Sequence, residues 1–191
     1  MIQSVVGSVR TPTPELLQEL ITLVKDGLKP LSQERTILYN IAIVQVSNLL
    51  HKACICPSKH AMYPERIFGV FCEKDDEFIG QWISWLGGEL ETEQNVQIKL
   101  NIITALGKVG HVHSARILTT LISDARNNEM VRSLAVYSLK KAATLNPSKV
   151  KPILMTIIEN ISEHSEVRIA AIATLPYAQP TLIELKRIAI R

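Results

Sequence analysis

VRSLAVYSLKKAATLNPSKVKPILMTIIENISEHSEVRIAAIATL, residues 131–175, contains the clearest internal repeat of the chain. It opens and closes on near-copies of one helical pattern: VRSLAV at 131–136 corresponds to VRIAAI at 167–172. Their offset of about 36 residues falls within the range of stacked helical repeats. A second apolar helix, opened by Asn146-Pro147, lies between them. Because one such helix pair cannot bury its apolar stripe alone, the pattern predicts a stack of pairs.

Regular helix pairs are predicted over residues 95–191, with starts at Val96, Val131 and Val167. We expect Gly107 and Gly110 to form the tight turn inside the first pair. We expect Pro147 and Pro180 to lie in the first turns of the second helices of the later pairs.

Other residues near these helices raise specific expectations. Pro152 falls beyond a first turn that begins at Pro147, so that helix is either kinked or starts later. Ser165 is the expected N-cap of the helix that follows His164. The last predicted helix, Leu182 to Ile190, is apolar. Because a finished stack needs a polar terminal repeat, we expect a fragment, or an end that packs on something absent.

Residues 15–94 read as a less regular helical part, after a leading segment at 1–14. Thr13 is the expected N-cap of a helix that begins at Pro14 and stops at Gly27 and Pro30. A helix from about Gln33 to Ala53 is apolar nearly all round, which predicts a central position in the local core.

Another helical stripe, Phe78 to Leu90, contains Trp82 and Trp85 on one face. Core packing is the commoner role for such a pair, and contact with a lipid or a partner is the alternative. Gly87-Gly88 interrupts the stripe, and we expect the helix to weaken or end there.

Composition places the chain among globular proteins. Its 191 residues are 47% hydrophobic and 20% charged, and the net charge of +3 is too small to indicate a nucleic-acid partner. No apolar run approaches the length of a membrane span. The start, MIQSVVGSVRTPTPE, lacks the features of a signal peptide. Taken alone, this favours a cytosolic protein or a piece of a longer chain.

Three cysteines, Cys54, Cys56 and Cys72, fall in one short segment. They are either free cytosolic thiols, or a local disulfide with one cysteine left over, which indicates an oxidising compartment. A zinc site would need a fourth ligand, for which only His51 or His60 is a candidate.

Motifs of catalysis are missing from the sequence, which holds no Gly-rich phosphate loop, nucleophile elbow or HExxH. We therefore predict that the chain is not an enzyme. His111 and His113 lie at a predicted turn, where solvent-exposed histidines are commoner than metal ligands. Asn160-Ile161-Ser162 is a candidate glycosylation acceptor if the chain is secreted.

Basic residues of the repeats form either polar outer faces or a ridge that binds anionic lipid headgroups or phosphates. They are Arg132, Lys140, Lys141, Lys149, Lys151 and Arg168.

Several long runs resemble the N-terminal helical region of the large lipid transfer proteins. They are NVQIKLNIITALGKVGH (95–111), residues 131–160, EVRIAAIATLPYAQPT (166–181), and MYPERIFGVFC (62–72) with LLHKAC (49–54) upstream. That family includes vitellogenins, apolipophorins, apolipoprotein B and the microsomal triglyceride transfer protein, and the runs are most similar to insect vitellogenins. The resemblance covers the chain from about Thr11 onward.

The resemblance implies an all-α fold, a right-handed, two-layered α-α superhelix that wraps around sheets bounding a lipid cavity. The chain would be a fragment of that lipid-carrier domain, in a secreted lipid transport and yolk storage protein. It would brace the cavity, while the rest of the protein holds phospholipid and neutral lipid. No cofactor is implied beyond this lipid, and no lipid-contacting residue is assigned. A homodimer and a cell-surface receptor are the candidate protein partners.

The same resemblance implies a Cys54–Cys72 disulfide that leaves Cys56 over, or has Cys56 in place of Cys54. An extracellular glycoprotein would make Asn160 a glycosylation site, although the signal peptide of secreted relatives is not seen here. The alternative is a cytosolic helical-repeat scaffold that binds a protein partner. Reduced cysteines favour the scaffold, and a disulfide opposes it.

Overall fold

The computed structural model describes residues 13–28, 33–55 and 77–190. Within these ranges the secondary structure is helical and contains no strand, which confirms the all-α prediction. The chain divides into two compact units between Val109 and Gly110. The right-handed superhelix and the predicted division at residues 94 and 95 stay predictions.

The first unit contains four α-helices within its described residues. They are α1 (Pro14–Thr22), α2 (Gln33–Leu50), α3 (Glu77–Thr92) and α4 (Val96–Val109), with short π-helical segments at Leu23–Gly27 and His51–Ile55.

Thr13 caps α1 as predicted, because its hydroxyl accepts a hydrogen bond from the Leu16 amide at 3.3 Å and Pro14 takes the first helical position. The helical path then ends at Gly27, as expected, whereas Pro30 lies outside the described residues.

The central position predicted for α2 is confirmed. Ile41 and Val44 on the opposite side of the helix are half-buried, α2 packs closely against α4, and its buried residues form one broad face. They are Tyr39, Ala42, Ile43, Val46, Ser47, Leu49 and Leu50. The cover is incomplete at the helix start, where Ile37 is 56% exposed and Leu38 is 44% exposed.

The expected interruption at Gly87-Gly88 is wrong, because α3 continues through both glycines to Thr92. Each glycine costs up to about 1 kcal/mol in a helix interior. Continuing the helix past the glycines buries Leu90 on the core side, one turn after Leu86. Fully burying a leucine contributes about 1.5–3 kcal/mol, which offsets the penalty of the two glycines.

The second unit repeats one arrangement. Its α-helices are α5 (Val112–Ser123), α6 (Glu129–Ser138), α7 (Lys140–Leu145), α8 (Pro147–Glu159), α9 (Ser165–Thr174) and α10 (Leu182–Ala189), with a 3₁₀ segment at Leu175–Ala178. α6 and α9 are copies offset by 36 residues, and each ends just before an equivalent leucine, Leu139 or Leu175. α6 packs against α5 and α9, and α9 packs against α8. The predicted stacking of helix pairs is therefore present within this unit.

Two of the predicted turn residues take other positions. Gly107 is buried inside α4, so only Gly110, with φ of 69°, lies at the turn. Pro180 precedes the N-cap of α10 instead of lying in its first turn. The reason is a capping box: the Thr181 hydroxyl accepts from the Glu184 amide, and the Glu184 carboxylate accepts from the Thr181 amide at 2.6 Å.

Of the expectations for α8 and α9, the position of Pro147 is confirmed and the N-cap Ser165 is not. Pro147 is the first residue of α8, as predicted, and Pro152 lies inside that helix, so the expectation of a later start is wrong. Ser165 is not an N-cap. The Nδ1 atom of His164 accepts a hydrogen bond from the Glu166 amide at 3.3 Å and caps α9 instead.

Candidate binding groove

The turns that precede α6 and α9 are copies at the level of single hydrogen bonds. Asp124 Oδ1 accepts from the Arg126 amide at 3.0 Å, and Asn160 Oδ1 accepts from the Ser162 amide at 3.1 Å. Both are Asx turns, in which a side-chain oxygen holds the backbone two residues on. The pKa of Asp124 is lowered because Arg126 donates side-chain and backbone hydrogen bonds to its carboxylate.

Two arginines of the predicted ridge fix the repeats to one another. Arg132 donates its Nε to the Ile122 carbonyl at 2.8 Å, and Arg168 donates its Nε to the Ile158 carbonyl at 3.2 Å. Arg132 also forms an ion pair with Glu163, in which both side chains are largely buried. These bonds tie the last turn of one helix pair to the first helix of the next.

Most other residues of the predicted ridge are also engaged. Lys151 pairs with Glu184 at 3.2 Å, Lys140 lies 4.3 Å from the centre of the Tyr177 ring, and Lys141 is half-buried and in contact with a neighbour. The six cations therefore do not form a row of unpaired charges. This favours the polar-face interpretation for most of them.

An apolar groove lies between α5, α7 and α8, with a volume of about 210 Å³. Its residues are Val112, Ala115, Arg116, Thr119, Ala142, Asn146, Lys149, Val150 and Ile153. Arg116 and Lys149 are exposed, and neither has a carboxylate partner in the part of the chain that the structure describes. Sequence reasoning missed this groove, because its walls come from three helices that only packing brings together.

The size of the groove limits what it can hold. Small-molecule sites measure about 300–1,000 Å³. At about 210 Å³, the groove accommodates part of an acyl chain or one side chain of a partner, not a whole lipid. Its lining therefore gives no evidence that this segment houses a lipid load.

The predicted histidine positions are partly confirmed. His113 is exposed and His164 is exposed, as expected for surface histidines, whereas His111 is half-buried. His111 caps α5 through its Nδ1 atom, which accepts from the His113 amide at 3.3 Å. Across residues 13–28, 33–55 and 77–190, no group of three or more His, Cys, Asp or Glu side chains is arranged to hold a metal ion.

The tryptophan pair of α3 shows that the core interpretation holds for one member. Trp82 is fully buried and donates its indole N–H to the Ser47 hydroxyl of α2 at 2.8 Å. Trp85 is half-buried, stacks at 4.9 Å on Trp82, and has the Lys25 ammonium 5.6 Å from its ring centre. Burial of Tyr39, reinforced by Glu89 and Glu93, raises the pKa of its phenol.

The other residues that the sequence marked as candidate sites do not line the groove. Cys54 is half-buried in the π-helical segment after α2, while Cys56, His60 and Cys72 lie outside the described residues. The Nδ1 atom of His51 donates a hydrogen bond to the Val109 carbonyl at 2.8 Å. Asn160 is exposed at the end of α8. None of the described helices is long and apolar enough to cross a membrane.

The whole chain matches the model of one protein family. The family model of the Vitellogenin TPR domain matches residues 1–191. The chain belongs to this vitellogenin domain family. The match agrees with the resemblance noted in the sequence and with the helical fold of the described residues.

Individual vitellogenins are similar to the chain at low identity. Vitellogenin of Anthonomus grandis is 27% identical over 99% of this chain and 11% of its own length. Vitellogenin of Bombyx mori is 23% identical over 91% of the chain and 10% of its own length. Vitellogenin-A1 of Aedes aegypti is 27% identical over 99% of the chain and 9% of its own length. The chain thus spans about a tenth of these relatives. No solved structure matches it significantly.

Proposed function

We propose that this chain is a bracing segment of a secreted lipid transport and yolk storage protein, and that it carries out no covalent chemistry. The observation that carries the proposal is the match to the Vitellogenin TPR domain over residues 1–191. Stacked helix pairs suit a bracing role, because each pair packs against its neighbours and forms a stiff wall. The phospholipid and neutral lipid are held elsewhere in the protein, and no cofactor other than this lipid takes part.

The small size of the groove supports this division of labour. Burying an acyl chain contributes about 0.8 kcal/mol for each CH₂ group, so a large lipid load needs a large apolar area. A groove of about 210 Å³ cannot supply it.

The test is to capture the native protein from its source with an antibody against this chain and to extract it for lipid. We expect stoichiometric phospholipid on a species much larger than 21.3 kDa. A lipid-free species near 21.3 kDa would contradict the carrier and leave a cytosolic scaffold that binds a protein partner. The same preparation, cross-linked and sized, tests for the homodimer, and binding to oocyte membranes tests for a receptor.

Secretion also implies that Asn160 carries a glycan. Asn160-Ile161-Ser162 is the acceptor triplet, Asn160 is exposed, and Ile161 is 78% exposed. The amide oxygen of Asn160 holds the Asx turn, so its Nδ2 atom is left for the sugar. Expression in a secreting cell should give a band that moves faster after glycosidase treatment. Asn160→Gln and Ser162→Ala should each remove that shift, and an unshifted wild-type band would contradict the glycan.

An oxidising compartment implies a disulfide from the cysteine segment. We propose the pair Cys54–Cys72, with Cys56 replacing Cys54 as the alternative. Peptide mapping of the secreted protein without reduction identifies the linked pair. Cys56→Ser should keep the linked peptide if Cys54 is the partner and should abolish it if Cys56 is the partner. Three alkylated thiols in the wild type would overturn the disulfide.

A further inference from the structure

The apolar groove of the second unit, walled by α5, α7 and α8, is lined by side chains that lack neighbours on one side. Ala115, Ala142 and Val150 are buried, and Val112 and Ile153 are half-buried along it. Atoms that line an empty space lose the dispersion contacts that a neighbour would supply. With a volume of about 210 Å³, the groove has room for one apolar side chain of a partner.

The helices around this groove carry charge of mostly one sign. α5 and α7 contain no aspartate or glutamate, and α8 contains one, Glu159, at its last position, where it pairs with Arg187. The same helices hold five lysines and arginines, one in α5, two in α7 and two in α8. The groove therefore lies in a basic part of a chain whose net charge is only +3.

Two of these cations are available to a ligand. Arg116 of α5 and Lys149 of α8 line the groove and are exposed, and neither has a carboxylate partner among the residues that the structure describes. Lys151 of α8, in contrast, pairs with Glu184. Because the two available cations come from different helices, they suit a ligand with two separate carboxylates better than one with a single acidic group.

Asn146 adds a polar group that matches a peptide. It lines the groove, is half-buried and precedes α8, yet its side chain does not cap that helix. In the described part of the chain, no hydrogen bond involves its side-chain amide. A side-chain amide offers both a donor and an acceptor, as a peptide group does, whereas an acyl chain has no partner for it. The lining therefore favours a segment of polypeptide over a lipid tail.

We infer that the groove binds an acidic, extended segment of a partner polypeptide. The segment inserts one large apolar side chain into the groove, its flanking carboxylates pair with Arg116 and Lys149, and its backbone bonds to the Asn146 amide. A second copy of this chain complements the groove poorly, because it carries a net charge of +3 and the same basic helices. The inference applies equally to a lipid carrier and to a scaffold, so its failure would leave the proposed function untouched.

The experiment titrates the capped peptide Gly-Asp-Glu-Phe-Glu-Asp-Gly into the isotope-labelled chain of 191 residues, and amide chemical shifts report the affinity and the place of binding. A control peptide has alanine in place of phenylalanine, which keeps every charge and leaves the protein unaltered. Decanoate, a single-chain lipid anion, is titrated in parallel. Arg116→Gln and Lys149→Gln test the two cations. Lys186→Gln, which removes an exposed lysine of α10 outside the groove, is the matched control.

The peptide should shift the amides of α5, α7 and α8 that surround the groove. Replacing its phenylalanine by alanine should weaken binding at least about tenfold, because the buried ring supplies most of the apolar contact. Arg116→Gln and Lys149→Gln should each weaken binding at least about threefold, the effect of removing one partly exposed ion pair. Lys186→Gln should leave the affinity unchanged.

Four results would overturn the inference. Equal affinities for the phenylalanine and alanine peptides would show a diffuse attraction of charges without an anchored side chain. Groove amides that shift with decanoate but not with the peptide would assign the groove to a single-chain lipid. A chain that sediments as a dimer, and becomes monomeric with Arg116→Glu, would assign it to a second copy. The inference would also fall if about 1 mM peptide left all groove amides unshifted.

Discussion

Arg132 and Arg168 lie 36 residues apart and make the same bond, in which Nε donates to the backbone carbonyl ten residues earlier. The carbonyls belong to Ile122 and Ile158, in the last turns of α5 and α8. Helix ends leave such carbonyls without a helical partner, so an arginine from the following helix satisfies them. The repeated pattern VR at 131–132 and 167–168 thus encodes a junction.

The Arg132–Glu163 pair should be important for the stability of the second unit. Removing one member of a largely buried pair leaves the other charge uncompensated, so Glu163→Gln should lower the free energy of unfolding by about 3 kcal/mol. Replacing both, as in Arg132→Met with Glu163→Leu, should restore most of it. Urea unfolding followed by circular dichroism measures these changes. A midpoint for Glu163→Gln equal to that of Glu129→Gln, an exposed glutamate on α6, would refute the prediction.

The buried bond between Trp82 and Ser47 predicts coupling between α2 and α3. Trp82→Phe removes the indole donor and leaves a cavity, so it should lower the free energy of unfolding by about 2–3 kcal/mol. Ser47→Ala should cost less in the Trp82→Phe background than in the wild type, because the hydroxyl has then lost its partner already. Denaturant titration of the four proteins gives the coupling. Trp85→Phe is the control, since Trp85 is half-buried, and equal losses for the two tryptophans would argue against this account.

Two glycines should respond to alanine with opposite signs. Gly88 lies inside α3 with open space around an added Cβ, so Gly88→Ala should raise the free energy of unfolding by up to about 1 kcal/mol. Gly110 has φ of 69°, where a Cβ is strained, so Gly110→Ala should lower it by about 1–2 kcal/mol. Thermal unfolding compares the two variants with the wild type. Shifts of the same sign would contradict the backbone geometry.

Tyr39 makes the first unit sensitive to alkaline pH. Because burial, with Glu89 and Glu93 nearby, raises its pKa in the folded state, the neutral phenol is favoured there more than in the unfolded chain. Its contribution is complete below the unfolded pKa of about 10 and is lost as pH rises above that value, by at most about 1.4 kcal/mol for each pH unit. Urea unfolding from pH 9 to pH 11 measures the slope. Tyr39→Phe should flatten it, and parallel slopes for both proteins would exclude Tyr39 as the cause.

Periodic features of the fold were predictable from the sequence. The helix pairs of the second unit and the central α2 follow from apolar spacing, and the Thr13 cap follows from the preference of N-cap positions for Ser, Thr, Asp and Asn. The caps of α5 and α9 were not predicted, because histidine Nδ1 is not among the side chains usually expected at that position. The helix end expected at Gly87-Gly88 was wrong because the glycine penalty is visible in the sequence, whereas the burial of Leu90 after the glycines is not.

The groove and the arginine junctions required the structure. Arg132 and Arg168 were identified as members of a basic ridge, but charge alone does not indicate that a side chain points at a carbonyl ten residues back. Likewise, Arg116 was not singled out, because its neighbours in the groove come from α7 and α8.

The arginine-to-carbonyl bond makes the length of the stack adjustable. Each helix pair carries its own joint, so an insertion or deletion of 36 residues would bring an equivalent arginine and an equivalent carbonyl together again. The free energy of folding then accumulates by nearly constant increments, one for each pair and one for each junction. A change of one or two residues between a carbonyl and its arginine, such as between Ile122 and Arg132, has no such tolerance, because it moves that arginine away from its acceptor. Selection on such a protein would therefore accept whole modules more readily than small indels within them.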